Sequence, residues 1–496
     1  MVPIVTPAEM QAIDEAAPEP VGVLVERAGA AVARAAMEML GGGYGRRVVV
    51  VAGKGNNGAD GRAAAARLAR RGARVAIYEA AVAPADVRAD LVVDAAYGTG
   101  FRGDYVAPDA GGSPVLAVDI PSGVDGLTGT ACEGAVRAAH TVTFAALKPG
   151  LLIGAGPDLA GTVEVAPIGL DVSSASAWLV GPDELGWLAD RPRHTHKWAT
   201  ALWVLAGSPG MAGAAHLCAR AALRAGAGTV RLGIPGEPPA PRYLEVVGRT
   251  VPATGWAGAV LDDLGRAKAL VVGPGLSRTD DAGRSARELV AQAPVPVVVD
   301  ADGLYALGDV ASTRSVVSGR SHGTVLTPHE GEFRRMTGSA PGPDRLGAVA
   351  DLARRTGATV LLKGSTTIVA APDGRSLWAN AGDARLATAG TGDVLAGVIG
   401  AFLAQGLQPL EAAGLAAWAH GAAARLGPAR GLVAGDLLDL LPSVLSADRG
   451  GDEGVTAPTW PATPHAAVRG AAAVRGAVSE RPAPATTPGH PGRGTR

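Results

Sequence analysis

Arg47-Val-Val-Val-Val-Ala52 runs directly into Gly53-Lys54-Gly55-Asn56-Asn57-Gly58-Ala59-Asp60-Gly61, and a helix-like, alanine-rich run follows from Gly61 to Arg71. An apolar strand, a glycine loop and a helix in that order open a βαβ unit. Glycines there let backbone N–H groups approach an anion at a helix N terminus. Gly53, Gly55 and Gly58 satisfy the spacing of a dinucleotide cradle, and Glu79 follows the second strand where such a fold carries its ribose-binding acid. Asn56, Asn57 and Asp60 do not suit a pure pyrophosphate cradle. A carboxylate repels phosphate unless a cation intervenes or the acid meets a sugar hydroxyl.

The same alternation continues outward. Arg74–Tyr78, Ala89–Asp94, Val115–Ile120 and Thr141–Phe144 are further β-branched runs separated by alanine-rich stretches. Continuous apolar strands with helices between them predict a parallel sheet covered on both faces. After a polar junction, Arg191-Pro-Arg-His-Thr-His-Lys197, the pattern restarts at Ala201-Leu-Trp-Val-Leu-Ala206 with the glycine loop Gly207–Gly213. Strands are predicted again at Ala269–Val272, Val295–Asp300, Thr324–Thr327, Thr359–Lys363 and Thr367–Ala371. The expected architecture is α/β in two domains: a Rossmann-like three-layer αβα unit over residues 1–180 and a second α/β unit over 181–445. Residues 446–496 hold no Phe, Ile or Leu and seven Pro, and are expected to be disordered.

Composition excludes several classes of function. In 496 residues the net charge is −1, with 47% hydrophobic and 18% charged residues, which is a globular balance. Nothing in it points to nucleic acid or an anionic membrane. Cys132 and Cys218 are too few for a disulfide framework or a cysteine zinc site, and the N terminus lacks a basic-then-apolar leader. The longest uncharged run, Val394–Leu410, is broken by glycines and a proline and falls short of the ~20 apolar residues a membrane span needs. A soluble cytoplasmic protein is expected. Of 45 basic residues only Lys54, Lys148, Lys197, Lys268 and Lys363 are lysines, and all but Lys268 lie in or beside a motif.

Three strand ends carry polar clusters: the 53–61 loop, Asp94-Ala-Ala-Tyr-Gly-Thr-Gly-Phe-Arg-Gly-Asp104, and Asp119-Ile-Pro-Ser-Gly-Val-Asp125. Ligands of open parallel sheets bind at carboxyl strand ends, so the three loops should face one crevice. Asn57, Asp94 and Ser122 could there offer hard oxygens to a cation. The strongest chemical signal is Asn380–Gly397, in which Thr388-Ala-Gly-Thr-Gly-Asp393 precedes an apolar helix. Small residues expose N–H groups to a phosphoryl group in transfer, with the helix dipole behind them. Asp393 can take a proton from an attacking hydroxyl, or simply cap the helix. His329 reads either as a site residue or as a turn cap.

The four motifs at 56–61, 94–104, 119–126 and 141–150, in that order, resemble the YjeF N-terminal domain, an NAD(P)H-hydrate epimerase. The elements at 207–214, 273–276, 300–303, 326–332, 362–364 and 380–397 are similar to the YjeF C-terminal domain, a ribokinase-like, ADP- or ATP-dependent NAD(P)H-hydrate dehydratase. The resemblance implies interconversion of the R and S hydrates of NADH and NADPH, then nucleotide-dependent dehydration of the S form. It implies hydrate contacts from Asn56, Asn57, Gly58, Ala59, Asp60, Gly98, Thr99, Gly100, Phe101, Arg102, Gly103, Asp104 and Asp119, and potassium held by Asn57, Asp94 and Ser122. In the second unit it implies hydrate contacts from Ala214, Gly275, His329 and Asp393. Lys363, Gly364, Ser365, Thr366, Thr367 and Gly392 would hold the nucleotide, expected to be ADP with Mg²⁺.

Asp119, and after it Lys148, are the candidates for proton transfer in epimerisation, and Asp393 for the base in dehydration. Partners are then the hydrates NADHX and NADPHX, ADP, and a second copy of the chain, with no nucleic acid or membrane. The sequence departs from the family pattern at Ala59, Tyr97, Trp198 and Ser277. Two other readings are a ribokinase-like small-molecule kinase with a regulatory nucleotide-binding domain, and an N-terminal half that only senses nucleotides.

Overall fold

The structure is a computed structural model that describes residues 1–238, 244–446 and the strand Val468–Gly470. Eight strands lie before the junction: β1 (Val2–Ile4), β2 (Arg47–Ala52), β3 (Arg74–Glu79), β4 (Leu91–Ala95), β5 (Val115–Val118), β6 (His140–Phe144), β7 (Thr162–Ala166) and β8 (Ala177–Leu179). After it come β9 (Ala201–Leu205), β10 (Thr229–Gly233), β11 (Val246–Arg249), β12 (Ala269–Val272), β13 (Val297–Val299), β14 (Thr324–Leu326), β15 (Thr359–Leu362), β16 (Thr367–Ala370), β17 (Ser376–Ala379) and β18 (Val468–Gly470).

One sheet runs β18-β7-β6-β5-β4-β2-β3 and is parallel throughout. The other runs β1-β8-β17-β16-β15-β14-β13-β12-β9-β10-β11, parallel from β15 to β11 and mixed at the opposite edge. The α/β class read from the sequence is the class observed. In each sheet the strand order reverses at the strand feeding the first glycine loop, β2 between β4 and β3, and β9 between β12 and β10. A reversal opens a crevice at the carboxyl edge because the neighbouring connections leave to opposite faces.

Helices cover these sheets with their small-residue faces. Val21–Leu40 and Asn56–Arg70 pack on the first sheet through Ala28, Val32, Ala36, Ala64 and Leu68. The helix Thr391–Ala404 takes in most of the uncharged run Val394–Leu410 and is buried along nearly its whole length. Gly397 and Gly400 allow this, since a Cβ there would stand 2.2 Å from the Cys218 carbonyl oxygen and 2.5 Å from Val271. Among the described residues no helix is long and apolar enough to cross a membrane.

The expected division at 180/181 is crossed by backbone pairing. β1 and β8 belong to the second sheet, and β1 also brackets Leu147, whose N–H donates to the Pro3 carbonyl while Val5 N–H donates to the Leu147 carbonyl, both at 2.9 Å. Ile4, Leu147, Leu151 and Leu152 share an apolar cluster with Leu362, Ile368 and Trp378. Of the tail expected to be disordered, β18 is a short strand beside β7; residues 447–467 and 471–496 lie outside the described residues.

Candidate active sites

A cleft of about 980 Å³ opens at the carboxyl edge of the first sheet. It is lined by the 53–57 loop, Asp60, Tyr97–Arg102, Asp119 and Lys148, together with Met10, Asp14, Leu24 and Ile168. Asn56–Asp60 were read as loop, but the helix starts at Asn56. Its first N–H groups need no intrahelical partner, so asparagine and glycine cost little there. Gly53 and Gly58 serve close packing: a Cβ would stand 2.0 Å from the Ala96 oxygen at Gly53 and 1.9 Å from the Gly53 oxygen at Gly58. Glu79 also reaches the cleft, but is paired with Arg62, which donates to the Gly53 carbonyl at 2.8 Å.

Asp119 sits just past β5 with φ 68°, a left-handed conformation uncommon for a non-glycine residue. Lys148 Nζ is 2.7 Å from Asp119 Oδ1, and the lysine is only 1% exposed. Nζ also donates to Thr143 Oγ1 at 3.0 Å and the Phe144 carbonyl at 2.9 Å. The Thr143 hydroxyl (3.1 Å) and Thr99 N–H (3.2 Å) complete the shell of the carboxylate. Burial alone would raise Asp119, but the Lys148 ammonium and these hydrogen bonds hold it below the usual carboxylate value.

Asp60 has the opposite environment. It is buried, and among the described residues no hydrogen-bond or ion-pair partner faces it. Burial, with Asp119 and Asp14 nearby, pushes it up to about 8. One cleft therefore holds an ionised aspartate and a protonated one. Such a separation is how two carboxyls in one site divide acid and base roles.

Behind the cleft wall, Asp94 accepts from Ser122 N–H (2.8 Å) and Oγ (2.7 Å), and burial raises it to about 6. The Asn57 side chain is buried with neither amide atom partnered among the described residues. An orphaned amide oxygen, a carboxylate and a hydroxyl are by their chemistry fitting donors for a hard cation. Of the other residues expected to meet the hydrate, Asn56, Gly98, Thr99, Gly100, Phe101 and Arg102 line the cleft, while Gly58, Ala59, Gly103 and Asp104 are not among its lining residues. Tyr97 packs on Phe101 and Tyr105, at 5.3 and 5.2 Å between ring centres.

The second constellation lies at the carboxyl edge of β9 and β12–β15. Gly390 (φ 90°) turns the chain into the helix Thr391–Ala404, and Asp393 is in its first turn. Asp393 has no hydrogen-bond or ion-pair partner among the described residues; burial first, then Asp300, raise it to about 6. Lys363 Nζ is 2.6 Å from Asp300 Oδ1, an atom that also accepts from Thr327 Oγ1 at 2.7 Å. Burial opposes the ammonium, but Asp300 and Glu332 raise Lys363 above its ordinary value, so it stays charged. A Cβ at Gly392 would lie 3.3 Å from Lys363 Nζ, so cation and helix N terminus converge. His420, buried behind Thr391, is pushed down to about 4 and stays neutral.

Gly275 (φ 63°) lies against Ala214 and Met211; a Cβ on it would come within 3.2 Å of the Ala214 Cβ. Ser277 has φ 81°, a left-handed conformation that favours glycine; its N–H donates to Asp302 at 3.0 Å. His329 caps the helix Glu330–Thr337, its Nδ1 accepting from Gly331 N–H (2.9 Å) and Glu332 N–H (3.2 Å), with Nε2 3.5 Å from Glu332 Oε1. Gly364, Ser365 and Thr366 form the turn between β15 and β16, and Thr367 opens β16. The Thr366 hydroxyl donates to the Leu152 carbonyl at 2.6 Å, joining this turn to the one that begins at Lys148. Asp14, Thr143, Asp300 and Asp302 were not singled out as site residues. The last three lie within motifs quoted from the sequence, but each matters through neighbours remote in sequence.

Fold and sites together define a two-site α/β protein, with a buried carboxylate–lysine pair in one cleft and an unpaired acid in the first turn of a helix at the other. Residues 21–87 and 79–150 match the YjeF-related protein N-terminus family, and residues 202–445 the family described as NAD(P)H-hydrate dehydratase. A bifunctional NAD(P)H-hydrate repair enzyme of Moorella thermoacetica is 37% identical, covering 89% of this chain and 96% of that one. The Mycobacterium tuberculosis enzyme of the same name is 40% identical, covering 79% and 87%. The chain belongs to the family of bifunctional NAD(P)H-hydrate repair enzymes. Among solved structures, an ADP/ATP-dependent NAD(P)H-hydrate dehydratase of Bacillus subtilis, co-crystallised with ATP and Mg²⁺, is 29% identical over 54% of this chain and 96% of its own, with a TM-score of 0.47.

Proposed function

We propose that this protein repairs hydrated NADH and NADPH in the cytoplasm in two steps, epimerising the R and S forms in the first cleft and dehydrating the S form at the second site. The pairing of an ionised Asp119 with a protonated Asp60 in one cleft carries the first assignment. Epimerisation at a carbon bearing a hydroxyl needs reversible C–O cleavage or ring opening. Asp60 would give the proton that lets oxygen depart and take it back on return. Asp119, held charged by Lys148, would stabilise the cationic ring left behind and place it between the faces. Asn57, Asp94 and Ser122 would hold potassium, which when bound supplies a fixed positive charge beside the substrate's oxygens.

At the second site the unpaired Asp393 carries the assignment. It would take the proton of the hydrate's C6 hydroxyl as that oxygen attacks the terminal phosphoryl group of ADP. Lys363 and the N–H groups at Gly392 would steady the charge on the transferring group. Magnesium would come with the nucleotide and neutralise its phosphates. Hydroxide is a poor leaving group and phosphate a good one, so the ring nitrogen can then expel phosphate, and loss of a proton from C5 of the resulting cation restores the C5=C6 double bond. The products are NAD(P)H, AMP and phosphate. Free Cys132 and Cys218 suit a reducing compartment.

The test is purified protein with R and S hydrates, ADP or ATP, Mg²⁺ and K⁺, followed at 340 nm. Recovery of absorbance from both epimers is expected. No recovery with either nucleotide would sink the reading. A stable phosphorylated product without phosphate release would favour a kinase instead.

A further inference from the structure

Arg278, Tyr305 and Arg335 come from three separate connections, each leaving the carboxyl end of a neighbouring strand, β12, β13 and β14. They meet beside the second site. The guanidinium carbon of Arg278 lies 5.0 Å from the Tyr305 ring centre and that of Arg335 lies 4.9 Å from it. All three side chains are exposed, Tyr305 at 44%. The chemistry derived above uses none of them.

Stacking holds a guanidinium by its face and leaves in-plane N–H donors free for an anion. Asp302 fixes Arg278 through Nε at 2.7 Å while accepting the Ser277 N–H, which ties the stack to the loop carrying Gly275. Arg335 rides on the helix capped by His329. The acid nearest on that helix, Glu332, is turned back to the His329 N–H at 3.0 Å. Two pre-set cations therefore stand on the same loops as two residues expected to hold the reacting ring. A dinucleotide with its nicotinamide half at Asp393 that runs out along these strand ends would bring its phosphates to the stack.

We propose that the Arg278–Tyr305–Arg335 stack is a subsite for the phosphates of the dinucleotide substrate. This rests on the dehydratase reading of the second site.

Initial rates with hydrated NADH and hydrated NADPH, at saturating nucleotide, are measured on the full chain carrying Arg278→Ala, Arg335→Ala, Tyr305→Ala or Tyr305→Phe. Each arginine variant is expected to raise KM about tenfold, the size of one lost charge-assisted hydrogen bond. An equal rise for both hydrates assigns the bridging pyrophosphate; a rise confined to hydrated NADPH assigns the ribose phosphate. KM values within about twofold of wild type for both substrates would overturn the proposal, as would a Tyr305→Phe variant as impaired as Tyr305→Ala, since phenylalanine keeps the stacking face. Epimerisation in the first cleft is the internal control. Titration with NADPH, which carries the same phosphates, separates the subsite from the dehydratase reading. The arginine variants should weaken one class of binding sites even if the wild type performs no dehydration, and superimposable titrations would refute the subsite.

Discussion

Replacing Asp60 with asparagine isolates the most unusual ionisation in the first cleft. Burial, Asp119 and Asp14 raise Asp60 from 3.8 to about 8. Between those limits the folded chain holds a proton there that the unfolded chain does not. Stability therefore falls as pH rises, by about 1.4 kcal/mol per unit for one proton. Below pH ~4 both states are protonated and the penalty vanishes; above pH ~8 both have lost the proton and it is constant. Asparagine keeps the shape and cannot titrate, so wild type should lose roughly 3 kcal/mol relative to Asp60→Asn between pH 5 and pH 7. Urea unfolding of both proteins, followed by far-UV circular dichroism at pH 5, 6 and 7, measures the difference. Parallel pH dependences would mean that Asp60 titrates normally and would refute the acid role built on it. In the same variant epimerisation should fall about a hundredfold or more, the usual contribution of a general acid, and wild-type epimerisation should decline above pH ~8 as the proton is lost.

Three further outcomes follow from the same geometry. Asp393→Asn should abolish recovery of 340-nm absorbance while leaving R–S interconversion intact, and Asp119→Asn should do the reverse; loss of both activities in either variant would defeat the two-site division. Asp393 acts as a base only when ionised and sits at about 6, so the dehydration rate should rise with pH through that value and level off above it. A rate already flat at pH 5 would remove Asp393 from the role. Lys148→Met strands the Asp119 carboxylate with only Thr143 and Thr99 as partners and should cost about 3–5 kcal/mol of stability. Adding Asp119→Asn should restore most of that, as a thermal melt of the double variant would record.

Much of the architecture is legible in the sequence because it is written locally. A run such as Val48–Val51 can satisfy its backbone and bury both faces only inside a parallel sheet. Gly390 and Gly392 mark a chain that must turn sharply and expose its N–H groups. Asp119 and Lys363 follow strand ends, and strand ends gather at one edge by topology, so their place at that edge was readable before any coordinates. The start of the Asn56–Arg70 helix was not, because asparagine and glycine are poor helix formers whose place in a first turn depends on what they pack against.

What tertiary structure alone decided is which groups lose water and which charges they meet. Asp60 and Asp119 are both aspartates at the edge of one sheet. Lys148 and Thr143 beside one keep it charged; burial first, then the nearby Asp119 and Asp14, keep the other neutral. The placement of Val2–Ile4 in the second sheet and the stacking of Arg278 and Arg335 on Tyr305 likewise depend on residues far apart in the chain. Periodicity and turn chemistry act between near neighbours and can be read along the sequence. Desolvation and Coulomb energy depend on distances through space, which only the folded chain fixes.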